Sequence, residues 1–347
     1  MTPRPTPPTY KAIDIDKFLL IIGIVMVHAN VCVGLSPGQK SEVNRIGLLL
    51  MDLFVGSFGA VYVPCFFIIS GFLYFLNVSE FTSNVYKQKS VRRIRTLLIP
   101  YLLWNIAGLA LQLLKCTLLN YPSYGIVTDG HPDILRILEG FWNMTDGYPY
   151  AVAFWFIRNL IIFVILSPLA YSICSNRWIF FAFLLIICLG GVELYGMQYF
   201  IIGGYIALAS RKMPDIPPLT ALLCIFAWVT LSAYRLRFVH PPVSLNLLQA
   251  LAGFFAILPA ANRLVRCIRN RWFSLLVNAT FFIYALHQFF FTLTRDFYVK
   301  VFGLETVWGV IAAFAASCTT LIVVPFGVWL LMRRYCPRLT GLLTGNR

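Results

Sequence analysis

Four features of this sequence carry residue types that do chemistry. In DIDKFLLIIGIVMVHAN, Asp14 precedes Lys17 by three residues and His28 follows Lys17 by eleven. On one helix Lys17 and His28 stand about 16 Å apart along the axis. Lys17 then sits at one membrane surface, where its stem can snorkel, and His28 lies past the midplane. An imidazole titrating near neutrality is suited to take a proton from a hydroxyl; the alternative is a packed histidine bonded to a neighbouring helix. The second feature is YKQKSVRRIRTLLIPY, where Arg92, Arg93 and Arg95 precede an apolar run. Guanidinium forks bind phosphate bidentately, although such clusters also serve simply to set membrane orientation. The third is Arg158, the only formal charge between residues 147 and 176. It needs a partner or water, or it snorkels at the interface. The fourth is His287 in FFIYALHQFFF, either structural or part of a polar site.

The elements that position these residues follow from composition. Of 347 residues, 59% are hydrophobic and only 12% charged, with a mean hydropathy of +0.78. Soluble domains carry roughly 25% charged residues, so a soluble two-domain enzyme and a disordered chain are both excluded. The sequence reads as an all-α polytopic membrane protein. Stretches free of formal charge lie at 18–35, 53–79, 96–114, 159–176, 178–192, 194–210, 216–234, 238–262, 272–294 and 306–332, which predicts about ten transmembrane helices. Basic residues favour alternate connections: Lys87, Lys89 and Arg92 to Arg95, then Arg263 to Arg271, then Arg333 to Arg338. That alternation predicts both termini in the cytoplasm. The net charge of +15 is then a matter of cytoplasmic loops and anionic lipid, not of nucleic acid.

The Pro-rich residues 1–11 read as a disordered stub, 12–335 as the membrane domain, and 336–347 as a basic cytoplasmic tail. Segment 115–150 carries Tyr121, Tyr124, Asp129, His131, Asp133, Glu139, Trp142, Asp146 and Tyr148. Such a mixture suits sugar binding or an interfacial aromatic belt. The nine cysteines form no CxxC pair and lie mostly in apolar runs; they read as small hydrophobes, with no metal site. No internal repeat is visible, which weighs against a secondary transporter or glycan exporter, the competing class. In this arrangement His28, Arg158 and His287 all fall in the outer halves of their spans. Ionisable groups at such depth face the protein interior or a water-filled cavity, so the three are expected to line one polar cavity.

These segments, in their order, resemble the acyltransferase-3 family of membrane O-acyltransferases, with its WecH-like and fucose O-acetylase-like members. Asp14, Lys17 and His28 match the family's opening motif, with Lys where Arg is commoner. VPCFFIISGFLYF resembles its Phe-Phe-x-x-Ser-Gly-Phe segment at Ser70 and Gly71, and RRIRTLLIPY its R-x-x-R at Arg92 and Arg95. FWFIRNL resembles the Trp-Phe segment at Trp155 and Arg158, and FFIYALH the Tyr-x-x-His at Tyr284 and His287. The resemblance covers roughly residues 12–335. It implies a ten-helix fold in a bacterial inner membrane and acyl transfer, usually acetyl, from cytosolic acyl-CoA to a hydroxyl of an extracytoplasmic glycan or lipid-linked sugar. His28 is then the catalytic base, with Asp14, Lys17, Arg158, Tyr284 and His287 in support. Arg92, Arg93 and Arg95 hold the phosphates of acyl-CoA. Ser70 and Gly71 line the passage for its pantetheine arm. Acyl-CoA is a co-substrate, with no permanently bound cofactor. Direct transfer and an acyl-histidine intermediate both remain open, as does the oligomeric state.

Overall fold

The computed structural model describes residues 8–119, 127–128, 131–143 and 147–345. Residues 1–7 of the expected stub, Tyr121, Tyr124, Asp129 and Asp146 of the long connection, and Arg347 lie outside the described residues. Between its turns and loops the described chain is helical, apart from a two-residue antiparallel ladder, Val127–Thr128 with His131–Pro132. In chain order the helices are α1 Pro8–His28, α2 Pro37–Glu42, α3 Arg45–Phe75, α4 Ser83–Leu118, α5 Ile134–Trp142, α6 Val152–Ile165, α7 Ser167–Ser175 and α8 Arg177–Gly190. They continue as α9 Met197–Ser210, α10 Pro218–Arg235, α11 Val243–Leu264, α12 Arg271–Asn278, α13 Thr280–His287, α14 Phe291–Phe302, α15 Val307–Tyr335 and α16 Pro337–Thr344.

Among the described residues five helices are long and apolar enough to cross a membrane: α3, α4, α10, α11 and α15. The bent pair α6 and α7, angled at 70°, makes a sixth if it is one span. Ten spans were expected, and the difference has identifiable physical causes. Lys11, Asp14, Asp16 and Lys17 crowd charge into the first part of α1. Helices α8 and α9 are apolar but only 14 residues each, about 21 Å at 1.5 Å per residue, against a hydrocarbon core of about 30 Å. The expected span 272–294 is broken into α12, α13 and the start of α14. The α6–α7 bend falls at Leu166 and Ser167, just before Pro168, where proline disfavours a helical conformation in the preceding residue.

Large apolar side chains cover the exterior, for example Trp308, Leu189, Phe226 and Leu331. Exposed Leu and Phe on this scale need lipid as their solvent. The interior is built on close backbone contact between α3 and α9. A Cβ at Gly71 would overlap the Phe200 carbonyl oxygen, and one at Gly203 the Ile68 carbonyl oxygen. Glycine lets the two backbones touch, as small residues do between membrane helices. Around them Phe67, Phe72, Phe75 and Phe200 are fully buried.

At the two ends, helix α1 begins at Pro8, inside the stretch read as the stub. The stretch read as a tail is helical over Pro337–Thr344 and packs on the body: Trp104 Nε1 donates to the Leu343 carbonyl at 3.0 Å, and Thr340 and Thr344 are buried.

Candidate active site

Helix α1 divides its polar residues between its ends. Near its start, Lys17 Nζ donates to Asp14 Oδ1 at 3.0 Å on an exposed face. Asp16, two residues from Asp14 and so about 200° around the helix, is 2% exposed, and its Oδ1 has no hydrogen-bond partner. At the other end His28 closes the last turn. Its ring lies 5.2 Å, centroid to centroid, from that of His287, at 54°. The ring of Phe291 lies 5.5 Å away on His28.

His287 is held there by a break in the chain. Helix α13 ends at His287, and Gln288, Phe289 and Phe290 turn the backbone into α14. His287 is fully buried. Its Nδ1 lies 2.7 Å from the Tyr284 carbonyl oxygen and 3.2 Å from that of Ile283. Carbonyls only accept, so a neutral His287 keeps its proton on Nδ1. Nε2 is left with a lone pair, and it has no partner. His28 is half-buried, so of the two rings it is the more exposed.

The break is clamped to the start of α6. The Tyr284 hydroxyl donates to the Ala153 carbonyl, and the Ala153 N–H donates to Gln288 Oε1 at 2.7 Å. Gln288 Nε2 donates to the Ala285 carbonyl at 2.9 Å. Asn105 on α4 accepts from the Ala151 N–H at 3.0 Å. Backbone groups freed by the broken helices are thus paired by side chains, as an apolar interior demands.

Arg158 takes a different direction. Its Nη1 donates to the carbonyls of Trp142 at 2.8 Å and Asn143 at 2.6 Å, and its Nε to Asn159 Oδ1 at 3.4 Å. The guanidinium caps the C-terminal end of α5, where helix carbonyls lack partners and the dipole favours a cation. The structure therefore brings His28 and His287 together and spends Arg158 on α5. The nearby cavity, about 200 Å³, is apolar and is lined by Phe290, Leu293, Thr294, Thr320, Leu321, Val324 and Pro325.

The basic segment forms the start of α4. Lys89 Nζ donates to the Tyr74 carbonyl at 2.5 Å, at the end of α3, and lies 5.2 Å from the centre of the Tyr74 ring. Arg93 lies over the same ring at 5.8 Å. Arg92 and Arg95 are exposed. Arg95 lies in a π-helical turn, Ile94–Leu98, between the basic and apolar parts of α4. Such turns are rare and gather at functional sites. Ser70 is half-buried, while Gly71 lies at the α3–α9 contact.

A family model described as an acyltransferase domain matches residues 10–330. The chain belongs to the acyltransferase-3 family. The resemblance read from the motifs is borne out, and this family member is a multi-pass membrane protein. No curated protein and no solved structure matches the chain.

Sequence reasoning did not single out the buried polar residues Asp16, Gln198 and Gln288, and it read Lys89 only as one of the basic residues of its connection. Gln198 is 1% exposed, and neither atom of its amide is hydrogen-bonded. A polar amide inside an apolar run was the available signal. For Asp16 the signal was the D-x-D spacing, which places the two carboxylates on nearly opposite helix faces.

Proposed function

We propose that this acyltransferase is an O-acyltransferase that moves an acyl group, acetyl in the simplest case, from cytosolic acyl-CoA to a hydroxyl of an extracytoplasmic glycan or lipid-linked sugar. The observation that carries the proposal is the pairing of the His28 and His287 rings at 5.2 Å at the end of the family's opening motif. A base, a fixed neighbour and access from one side are what proton removal from a hydroxyl requires.

In this reading His28 takes the acceptor hydroxyl's proton as the oxygen attacks the thioester carbonyl. The tetrahedral intermediate collapses, its C–S bond breaks, and the proton on His28 passes to the departing CoA sulfur. The neutral His287, with its proton on Nδ1, is the fixed polar neighbour beside the imidazolium formed on His28. Arg158 supports the site from a distance, by fixing α5 against α6. Asp14 and Lys17 form an exposed ion pair near the start of α1. Arg92 and Arg95, exposed beside the π turn, take the donor's phosphates; Arg93, over Tyr74, shapes the segment. The catalytic unit is 12–335, in a bacterial inner membrane with both termini in the cytoplasm. The distribution of Lys and Arg between connections supports that orientation.

The test is incubation of the purified protein and cell envelopes with radiolabelled acetyl-CoA. Label on a glycan, a lipid-linked sugar or the protein itself supports acyl transfer. Label on none of them, with donor binding intact, overturns it.

A further inference from the structure

The C-terminal helix reaches the basic segment through a contact made by one glycine. After Thr344 the chain turns at Gly345, whose φ is +68°. L side chains rarely adopt that conformation. A Cβ at this position would stand 2.7 Å from the Thr96 carbonyl oxygen and 2.9 Å from the Thr96 Cα. Both are backbone atoms, so no side chain can swing aside to admit it. Thr96 lies in the π-helical turn Ile94–Leu98, directly after Arg95, and its hydroxyl donates to the Arg92 carbonyl at 3.2 Å. The contact thus bears on the backbone that carries both exposed arginines. Two further features hold the helix in place: the Trp104 indole on the Leu343 carbonyl and the buried Thr340 and Thr344.

We infer that α16 is a positioning element for the donor site, setting the π turn through Gly345 so that Arg92 and Arg95 present their guanidinium groups together. The inference rests on the reading that these arginines hold the phosphates of acyl-CoA. A π turn is a rare single-turn bulge inside an α-helix. Here the backbone of Gly345 packs directly against that bulge at Thr96. Helix α16 and Gly345 thereby act on binding without touching the donor. A merely stabilising helix would act on folding and leave the arginines' contribution unchanged.

The experiment is a double-mutant cycle on the full-length protein in detergent, with acetyl-CoA as the probe and binding measured at low and high salt. Gly345→Ala is expected to weaken binding roughly tenfold and flatten its salt dependence, an effect lost once Arg92→Gln and Arg95→Gln are present, as coupled residues behave. Gly345→Asn tolerates the left-handed conformation but still carries a Cβ, so it should weaken binding as much as Ala. If Gly345→Ala does not fold, Trp104→Phe, which removes only the indole donor to Leu343, takes its place in the cycle with the same expected sign. An arginine pair that matters beside a glycine variant that binds normally, or that weakens binding equally in both backgrounds, overturns the role of α16 and leaves the phosphate reading standing. An arginine pair without effect removes the phosphate reading and the inference with it.

Discussion

The imidazole pair and the basic segment are held in opposite ways. His287 is fully buried, bonded through Nδ1 to its own helix, and its neighbour Gln288 bonds the backbone at the start of α6. Around Arg92 and Arg95 the side chains are exposed; Arg92 sits on the last α-helical turn and Arg95 on the π turn that follows it. One region fixes side chains by burial and backbone hydrogen bonds. The other leaves side chains free and fixes only the strand of backbone beneath them. The difference fits their proposed tasks. Proton transfer to His28 is helped by a neighbour, His287, held in place before the substrate arrives, whereas phosphate oxygens are captured by flexible cations reaching from the surface.

Three changes sharpen or break that contrast. The largest effect is expected from His287→Ala. Loss of the buried neighbour should lower the transfer rate about 100-fold, in the range of general-base contributions, without changing the apparent affinity for acyl-CoA. Steady-state kinetics in detergent separate the two quantities; a raised KM at normal kcat would show that His287 serves donor binding. Gln288→Leu comes next. It leaves the buried Ala153 N–H without its acceptor, at a cost of about 1–3 kcal/mol. A thermal melt in detergent should show this as a clear drop in midpoint, and an unchanged midpoint would mean that the clamp between α13 and α6 carries no weight. The smallest effect belongs to Asp14→Asn. Its pair with Lys17 is exposed, and such pairs contribute about 0.2–1 kcal/mol. Folding should hardly change; a large destabilisation would mean that the start of α1 is more tightly held than its exposure indicates.

What the sequence revealed and what it hid follow one physical line. The separation along α1 from Lys17 to His28 was legible because a helix converts residue number directly into distance. The meeting of His28 with His287 followed from the cost of titratable groups at membrane depth. Arg158 obeyed the same rule but found its partners in the carbonyls of Trp142 and Asn143, at the end of an amphipathic helix inside the long connection. Nothing in the apolar run around Arg158 announces that helix. Of the ten expected spans, five or six are long and apolar enough to cross a membrane among the described residues, and the rest depart where formal charge was a poor guide to continuity. The stretch 272–294 carries no charge, yet it breaks after His287, and the Gln288 that pairs the freed backbone is itself uncharged. The folded tail was hidden because Gly345 acts through the absence of a side chain, and sequence alone does not show what lies 3 Å from a glycine.

The most direct measurement is transfer of radiolabelled acetyl from acetyl-CoA by membranes holding equal amounts of the wild-type protein and His28→Ala. With His28 as the base, the variant inserts normally, still binds the donor, and shows no transfer above background. Transfer by His28→Ala at a rate near that of the wild type would contradict it, and the paired imidazoles would then be a packing feature of the bundle.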